Sequence, residues 1–214
     1  MSEFDRSPDG LAFSPAVQAQ QIRKGSRHVY EGVAWPIDVT RDLETFIADQ
    51  RSFYIATASL DGQPYIQHRG GPRGFLKLLD SRTLAFADFR GNRQFITTGN
   101  LAENDRVQLF LMDYVHRRRI KIWGRARVVG DDPALIAQLM PEGYRARADQ
   151  AILITVEAWD VNCPQHIPQR IDAEDVARAL DERDARIRDL EAEIAVLNQR
   201  LAVREICGDD VGAQ

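Results

Sequence analysis

Apolar and polar positions alternate in steps of two through most of the chain, then in steps of three and four near its end. Two kinds of element are therefore predicted. Ser14-Pro15 reads as an N-cap with proline at the first helical position, giving a helix to about Lys24 that Gly25 ends. A second helix is expected from about Thr40 to Gln50, because Leu43, Phe46 and Ile47 share a face. Residues 52–59 form the first predicted strand, Asp61-Gly62 a hairpin turn, and residues 64–68 the return. After Gly70-Gly71-Pro72, strands are predicted over 74–79 and 83–88, around a turn at 80–82. Gly91 opens a short helix from about Asn92 toward Gly99. Residues 106–114 and 117–129 make an antiparallel pair around Val115-His116, Asp132-Pro133 caps a helix ending near Met140, and 151–161 is an apolar strand. Six or seven strands with short turns and small helices predict a mainly β fold, one antiparallel barrel. There is no strand–helix alternation and no Gly-x-Gly-x-x-Gly, which argues against a Rossmann dinucleotide site.

The end of the chain differs. Ile187, Leu190, Ile194, Leu197 and Leu201 follow 3-4-3-4 spacing, the seam of an amphipathic or coiled-coil helix. Val176 and Leu180 extend it, and Arg183 interrupts it. Packing on its own barrel and self-association both remain open for this helix. The resulting layout is an N-terminal helical segment at 1–50, a barrel at 51–170, a helix at 171–204 and a tail at 205–214.

Composition narrows the class. The 214 residues are 44% hydrophobic, enough for a core without staples, and the two cysteines, Cys163 and Cys207, give no disulfide framework. No apolar run reaches the roughly 20 residues of a membrane span, and the polar, acidic start shows no secretory signal, so a cytoplasmic protein is expected. Residues 172–203 carry nine acidic and five basic side chains, which accounts for the whole net charge of −4 and leaves the rest neutral. A neutral body argues against non-specific nucleic-acid binding. Residues 116–127 are the exception, with six Lys/Arg and no acid.

Candidate chemistry is for binding anions. No Gly-x-Ser-x-Gly, His-Glu-x-x-His or Walker-type loop is present, and the four histidines (28, 68, 116, 166) lack metal-ligand spacing. Arg90-Gly91-Asn92-Arg93-Gln94 follows a strand at an expected helix start, where backbone N–H groups and the dipole favour a phosphate. Around Gln67-His68-Arg69-Gly70-Gly71-Pro72-Arg73-Gly74, glycines allow close backbone approach to a ligand. Within the basic strand, Ile120, Ile122, Ala126 and Val128 share one face. Arg119, Lys121, Trp123, Arg125 and Arg127 share the other, which must meet anions, partner carboxylates or solvent. In residues 159–168, Cys163 and His166 are candidate nucleophile and base. In an extended, proline-bounded stretch their side chains need not meet, and a loop lining a ligand site is the preferred reading.

These stretches together resemble the pyridoxamine 5′-phosphate oxidase-like family of FMN-binding split barrels, over roughly residues 14–170. The resemblance is carried by 67–77, 87–94, 100–107, 119–126 and 159–167. It implies a homodimer with two FMN sites between subunits. It matches Lys77 to the family's barrel lysine, and Asn92, Arg93 and Gln94 to its Ser-Arg-Lys phosphate turn. Either Arg69 or Arg73 matches its upstream arginine, Arg119 sits where a flavin-contacting glutamine is common, and Ala87 and Asp88 would lie beside the isoalloxazine ring. The family's substrate-gripping Arg-x-His pair is missing, replaced by Asn162-Cys163-Pro164-Gln165-His166, so oxidation of pyridoxamine phosphate is not implied. The expectation is an FMN-dependent oxidoreductase with His68, Arg119, Cys163 and His166 as substrate-side candidates. The alternatives are a non-catalytic flavin-binding or storage module, a scaffold for the C-terminal helix, or a deazaflavin or haem binder.

Overall fold

The computed structural model describes residues 8–208, in two compact units: residues up to Pro168, and those from Gln169. In the first unit, helices α1 (Pro8–Leu11), α2 (Pro15–Lys24), α3 (Arg27–Tyr30) and α4 (Arg41–Ala48) precede the strands. Strands β1 (Ser52–Ala58), β2 (Pro64–Gly70), β3 (Lys77–Asp80) and β4 (Thr83–Phe89) follow, then α5 (Ile96–Glu103). Strands β5 (Arg106–Asp113) and β6 (Arg118–Val129), helix α6 (Pro133–Leu139) and strand β7 (Ala148–Val161) complete the unit. The second unit contains α7 (Ala173–Gly208).

The seven strands form one sheet in the order β2-β1-β5-β6-β7-β4-β3, with every pairing antiparallel. Its concave face gathers Phe53, Ile55, Leu109, Leu111, Ile120, Ile122, Ile152 and Ile154, all nearly inaccessible. Leu43, Phe46 and Ile47 of α4 join this core, as their shared face predicted. The sheet curls until its two ends meet: Phe53 of β1 lies edge-on to Phe86 of β4, with ring centroids 5.2 Å apart. Arg69 of β2 pairs with Asp88 of β4 across the gap. The result is a split β-barrel, closed by side chains rather than by a continuous hydrogen-bond ladder.

The alternation expected in β6 is present. Ile120, Ile122 and Ala126 are buried, while Arg119, Lys121, Trp123 and Arg125 are partly covered on the outer face. Gly124 at the register shift between β6 and β7 has no room for a side chain, since a Cβ there would lie 2.3 Å from the Thr155 carbonyl oxygen. A strap over residues 35–39 crosses this corner. Trp159 donates its backbone N–H to the Pro36 carbonyl (3.0 Å) and its indole N–H to that of Asp38 (3.0 Å). Trp35 of the strap stacks on Trp123 at 4.7 Å between centroids, and the Lys121 ammonium lies over both rings.

Two expected elements are corrected. The strand predicted over 74–79 begins at Lys77. Gly74 takes a left-handed φ of 76°, and Phe75 and Leu76 enter the core from a turn, not from a ladder. The helix expected from Asn92 begins at Ile96, because Arg93 (φ 59°) and Phe95 (φ 54°) both adopt left-handed backbone that no helix tolerates. At the other end, residues 205–208 continue α7 instead of forming a tail, and residues 209–214 lie outside the described part.

Candidate functional site

Where the barrel's two ends meet, the structure opens a cleft of about 270 Å³. The end of β2, the 71–76 turn, the end of β4, the 90–95 loop, the start of α5 and the start of β7 line it. Local sequence explains the shape. Gly71 must be glycine, because a Cβ there would stand 2.7 Å from the Phe75 ring and 3.0 Å from Phe89. Asn92 does not cap a helix. Its side-chain oxygen accepts from the Gln94 backbone N–H at 3.2 Å, the Asx-type turn that competes with helix initiation. Helix α5 is fixed from below, where Asn100 donates to the Thr57 hydroxyl (2.9 Å) and the Thr97 hydroxyl donates to the Gln67 side-chain oxygen (2.6 Å).

One wall is apolar and aromatic, from Phe75, Phe86 and Phe89. The other is polar and mostly self-satisfied. Asp88 accepts from Arg69 and, at 2.8 Å, from the Gln150 amide, which also donates to the Thr98 hydroxyl at 3.0 Å. The Arg69 guanidinium lies over the Phe86 ring, and its Nε is buried with no hydrogen-bond partner. Arg90 grips Asp149 through Nε, at 3.2 and 3.1 Å, and through a second guanidinium nitrogen. The hydrogen bond from Arg90, aided by charge attraction to Arg90 and then Arg93, holds the Asp149 carboxyl below the usual carboxylate range. Arg93 is different. Its guanidinium lies over the Phe95 ring and makes no ion pair among the described residues. Three arginines against two aspartates leave the lining with one uncompensated positive charge.

Of the residues singled out from sequence, His68, Arg69, Ala87, Asp88, Asn92 and Arg93 line this cleft. His68 stands on the face of β2 opposite Arg69, edge-on to Tyr54. The others lie elsewhere in the chain. Arg73 donates to the Asp49 carbonyl (2.9 Å), Lys77 donates to the Gln138 carbonyl (2.7 Å), and Gln94 closes the turn with Asn92. Arg119 sits in β6 opposite Met112, with its Nε buried and unpartnered; the Asn162 side-chain oxygen is buried and unpartnered as well. Asn162 donates its backbone N–H to the Arg119 carbonyl (3.0 Å), which joins the residues after β7 to that strand. Cys163 is an exposed free thiol, and His166 takes a left-handed φ of 62°. Sequence reasoning missed Thr97, Thr98, Asp149 and Gln150. Their pairings span 30 to 62 residues, and no local pattern announces them.

Among the described residues no cluster of His, Cys, Asp and Glu is suited to a metal, and no helix is long and apolar enough to cross a membrane. An aromatic wall faces a cationic rim at the seam of a split barrel, in a concave cleft of the kind that small-molecule sites use. The chain belongs to the pyridoxamine 5′-phosphate oxidase family, which residues 39–163 match. The structure is similar to that of HupZ from Group A Streptococcus, at 17% identity over 62% of this chain and 99% of that one (TM-score 0.49). A putative pyridoxamine 5′-phosphate oxidase from Lactobacillus delbrueckii is similar at 18% identity, over 58% of this chain and 95% of that one (TM-score 0.46). An FMN-binding protein from Syntrophomonas wolfei is similar at 9% identity, over 68% and 97% (TM-score 0.44). No curated protein matches the chain.

Proposed function

We infer that the cleft holds FMN and that the chain is a flavin-dependent oxidoreductase working as a homodimer in the cytoplasm. The observation that carries this reading is Arg93, which makes no ion-pair contact among the described residues while Arg69 and Arg90 each hold an aspartate. A single free guanidinium beside an aromatic wall suits a flat ring compound that bears one phosphate. The groups present fit that ligand: the buried, unpartnered Nε of Arg69 and the left-handed turn through Asn92 and Arg93 offer donors. Bound FMN supplies the electron-accepting ring, and the protein positions it and controls access. In this reading Arg93 and Asn92 hold the phosphate, the Asp88–Arg69–Gln150 network fixes the polar edge of the ring, and the phenylalanines exclude water from its face.

The cleft is somewhat smaller than the ~300–1,000 Å³ typical of small-molecule sites and is open on one side. A second copy of the chain supplies the missing wall. Arg119, Cys163 and His166, remote from their own cleft, serve the partner's site as substrate-side groups. Lys77 is engaged by a backbone carbonyl and takes no direct part. Titrating the purified protein with FMN tests the reading. Saturable quenching of flavin fluorescence at one FMN per chain is expected. No quenching at micromolar FMN, or a sharp haem band in the absorption spectrum as purified, would overturn it.

A further inference from the structure

Helix α7 runs for 36 residues, and every residue from 176 to 201 is exposed. That includes an apolar seam of Leu180, Ile187, Ile194 and Leu201 at one heptad position and Val176, Leu190 and Leu197 at the other, interrupted at Arg183, with each apolar member 39–57% accessible. A helix of this length gains most of its stability by covering such a seam. We propose that α7 pairs with α7 of a second copy of this chain as a parallel, in-register, two-stranded coiled coil.

Two observations choose that occupant and direction. With Leu180 at position a, the middle heptads carry Ile187 and Ile194 at a and Leu190 and Leu197 at d, the arrangement that selects parallel pairs over trimers. The flanking charges agree. Position g holds Arg186, Glu193 and Arg200, and position e holds Asp184, Glu191 and Asn198. Parallel pairing sets each g residue against the e residue five positions on in the partner, so Arg186 meets a glutamate and Glu193 meets a neutral amide. No like charges meet in these flanking pairs; within the seam Arg183 faces its own copy. Antiparallel pairing sets g against g and e against e, and the e row offers carboxylates and an amide with no cation to answer them. Arg183 occupies a d position and weakens the seam while marking its register, since a shifted pair would bury the guanidinium against leucine.

The test uses the full chain with Cys163 and Cys207 changed to serine. Leu197→Cys places a thiol at d, and Gln199→Cys places one two residues on, at the outward position f. Under mild oxidation, a parallel in-register pair brings the d thiols within disulfide reach and leaves the f thiols far beyond it. Leu197→Cys should cross-link to itself at least about tenfold faster than Gln199→Cys. Adding Arg183→Leu should speed it further, by closing the interruption in the seam. Equal, slow cross-linking at both positions overturns the proposal, as does an Arg183→Leu background that leaves the Leu197→Cys rate unchanged or slower. Flavin quenching measured on the same samples reports the barrel separately, so failure of one reading is not mistaken for failure of the other.

Discussion

On the outer face of β6, Lys121 pairs with Asp160 at 2.9 Å, and Arg125 pairs with Asp105 at 2.7 Å and Glu157 at 2.8 Å. Those carboxylates, Asp105 first, hold the Arg125 guanidinium more firmly protonated than usual. At the cleft, Arg69 and Arg90 are answered in the same way, yet Arg93 is not. Both regions are rich in cations, and the sequence alone makes the β6 stripe the more conspicuous. What separates them is the setting of the charges that find no carboxylate among the described residues: Arg119 and Arg127 lie on the outer face of the strand, whereas Arg93 stands at the rim of a cleft with an apolar wall. Lys121 and Arg125, answered by carboxylates, are architecture. A single unanswered charge beside an apolar wall is an invitation to a ligand.

The largest expected effect attacks that unanswered charge. Arg93→Glu should weaken FMN binding by roughly 100-fold, the loss of one charge-assisted contact plus added repulsion. Its melting temperature should stay near wild type, as read by flavin quenching beside a thermal melt. The reciprocal change attacks the architecture. Trp123→Ala removes the stacking partner of Trp35 and should cost about 2 kcal/mol in urea unfolding, with FMN affinity held within about twofold. A large drop in affinity there would erase the distinction between the two regions.

The smallest effect sharpens the contrast. Asp149→Asn releases Arg90 and should tighten FMN binding several-fold. Because Arg90 holds the Asp149 carboxyl below its ordinary value, that carboxyl stays charged as the pH falls through the normal carboxylate range. The advantage of the variant should therefore persist from pH 8 to 5 and close only below about pH 4. An advantage that vanishes near pH 6 would assign the effect to another group.

Much of this molecule is legible in its sequence, for a physical reason. Period-two burial is strict in β1 and β6, where Ile55, Ile120 and Ile122 face the core. Caps also read correctly: Ser14 and Asp132 each accept from the backbone N–H three residues on, as does Thr40 at the expected start of α4. The misses fall where a residue type serves a different geometry. Phe75 and Leu76 are apolar because they plug the barrel from a turn, which a run of hydrophobic letters cannot distinguish from a strand. Asn92 behaves as a cap, but of a turn. At the cleft, individual arginines and glycines were visible, whereas Asp149, Gln150 and Thr97 were not. Their roles arise only when β7 and α5 come beside β2 and β4, and no local pattern encodes that meeting.

The strap over β6 also has an optical consequence. All three tryptophans of the chain, Trp35, Trp123 and Trp159, belong to that corner, and none of them lines the cleft. Two nearly parallel, stacked indoles at 4.7 Å couple electronically. Near-ultraviolet circular dichroism of the unlabelled protein therefore serves as a built-in gauge of whether the leading segment is seated. Detachment of the strap would register there as a lost exciton signal before the barrel itself opened.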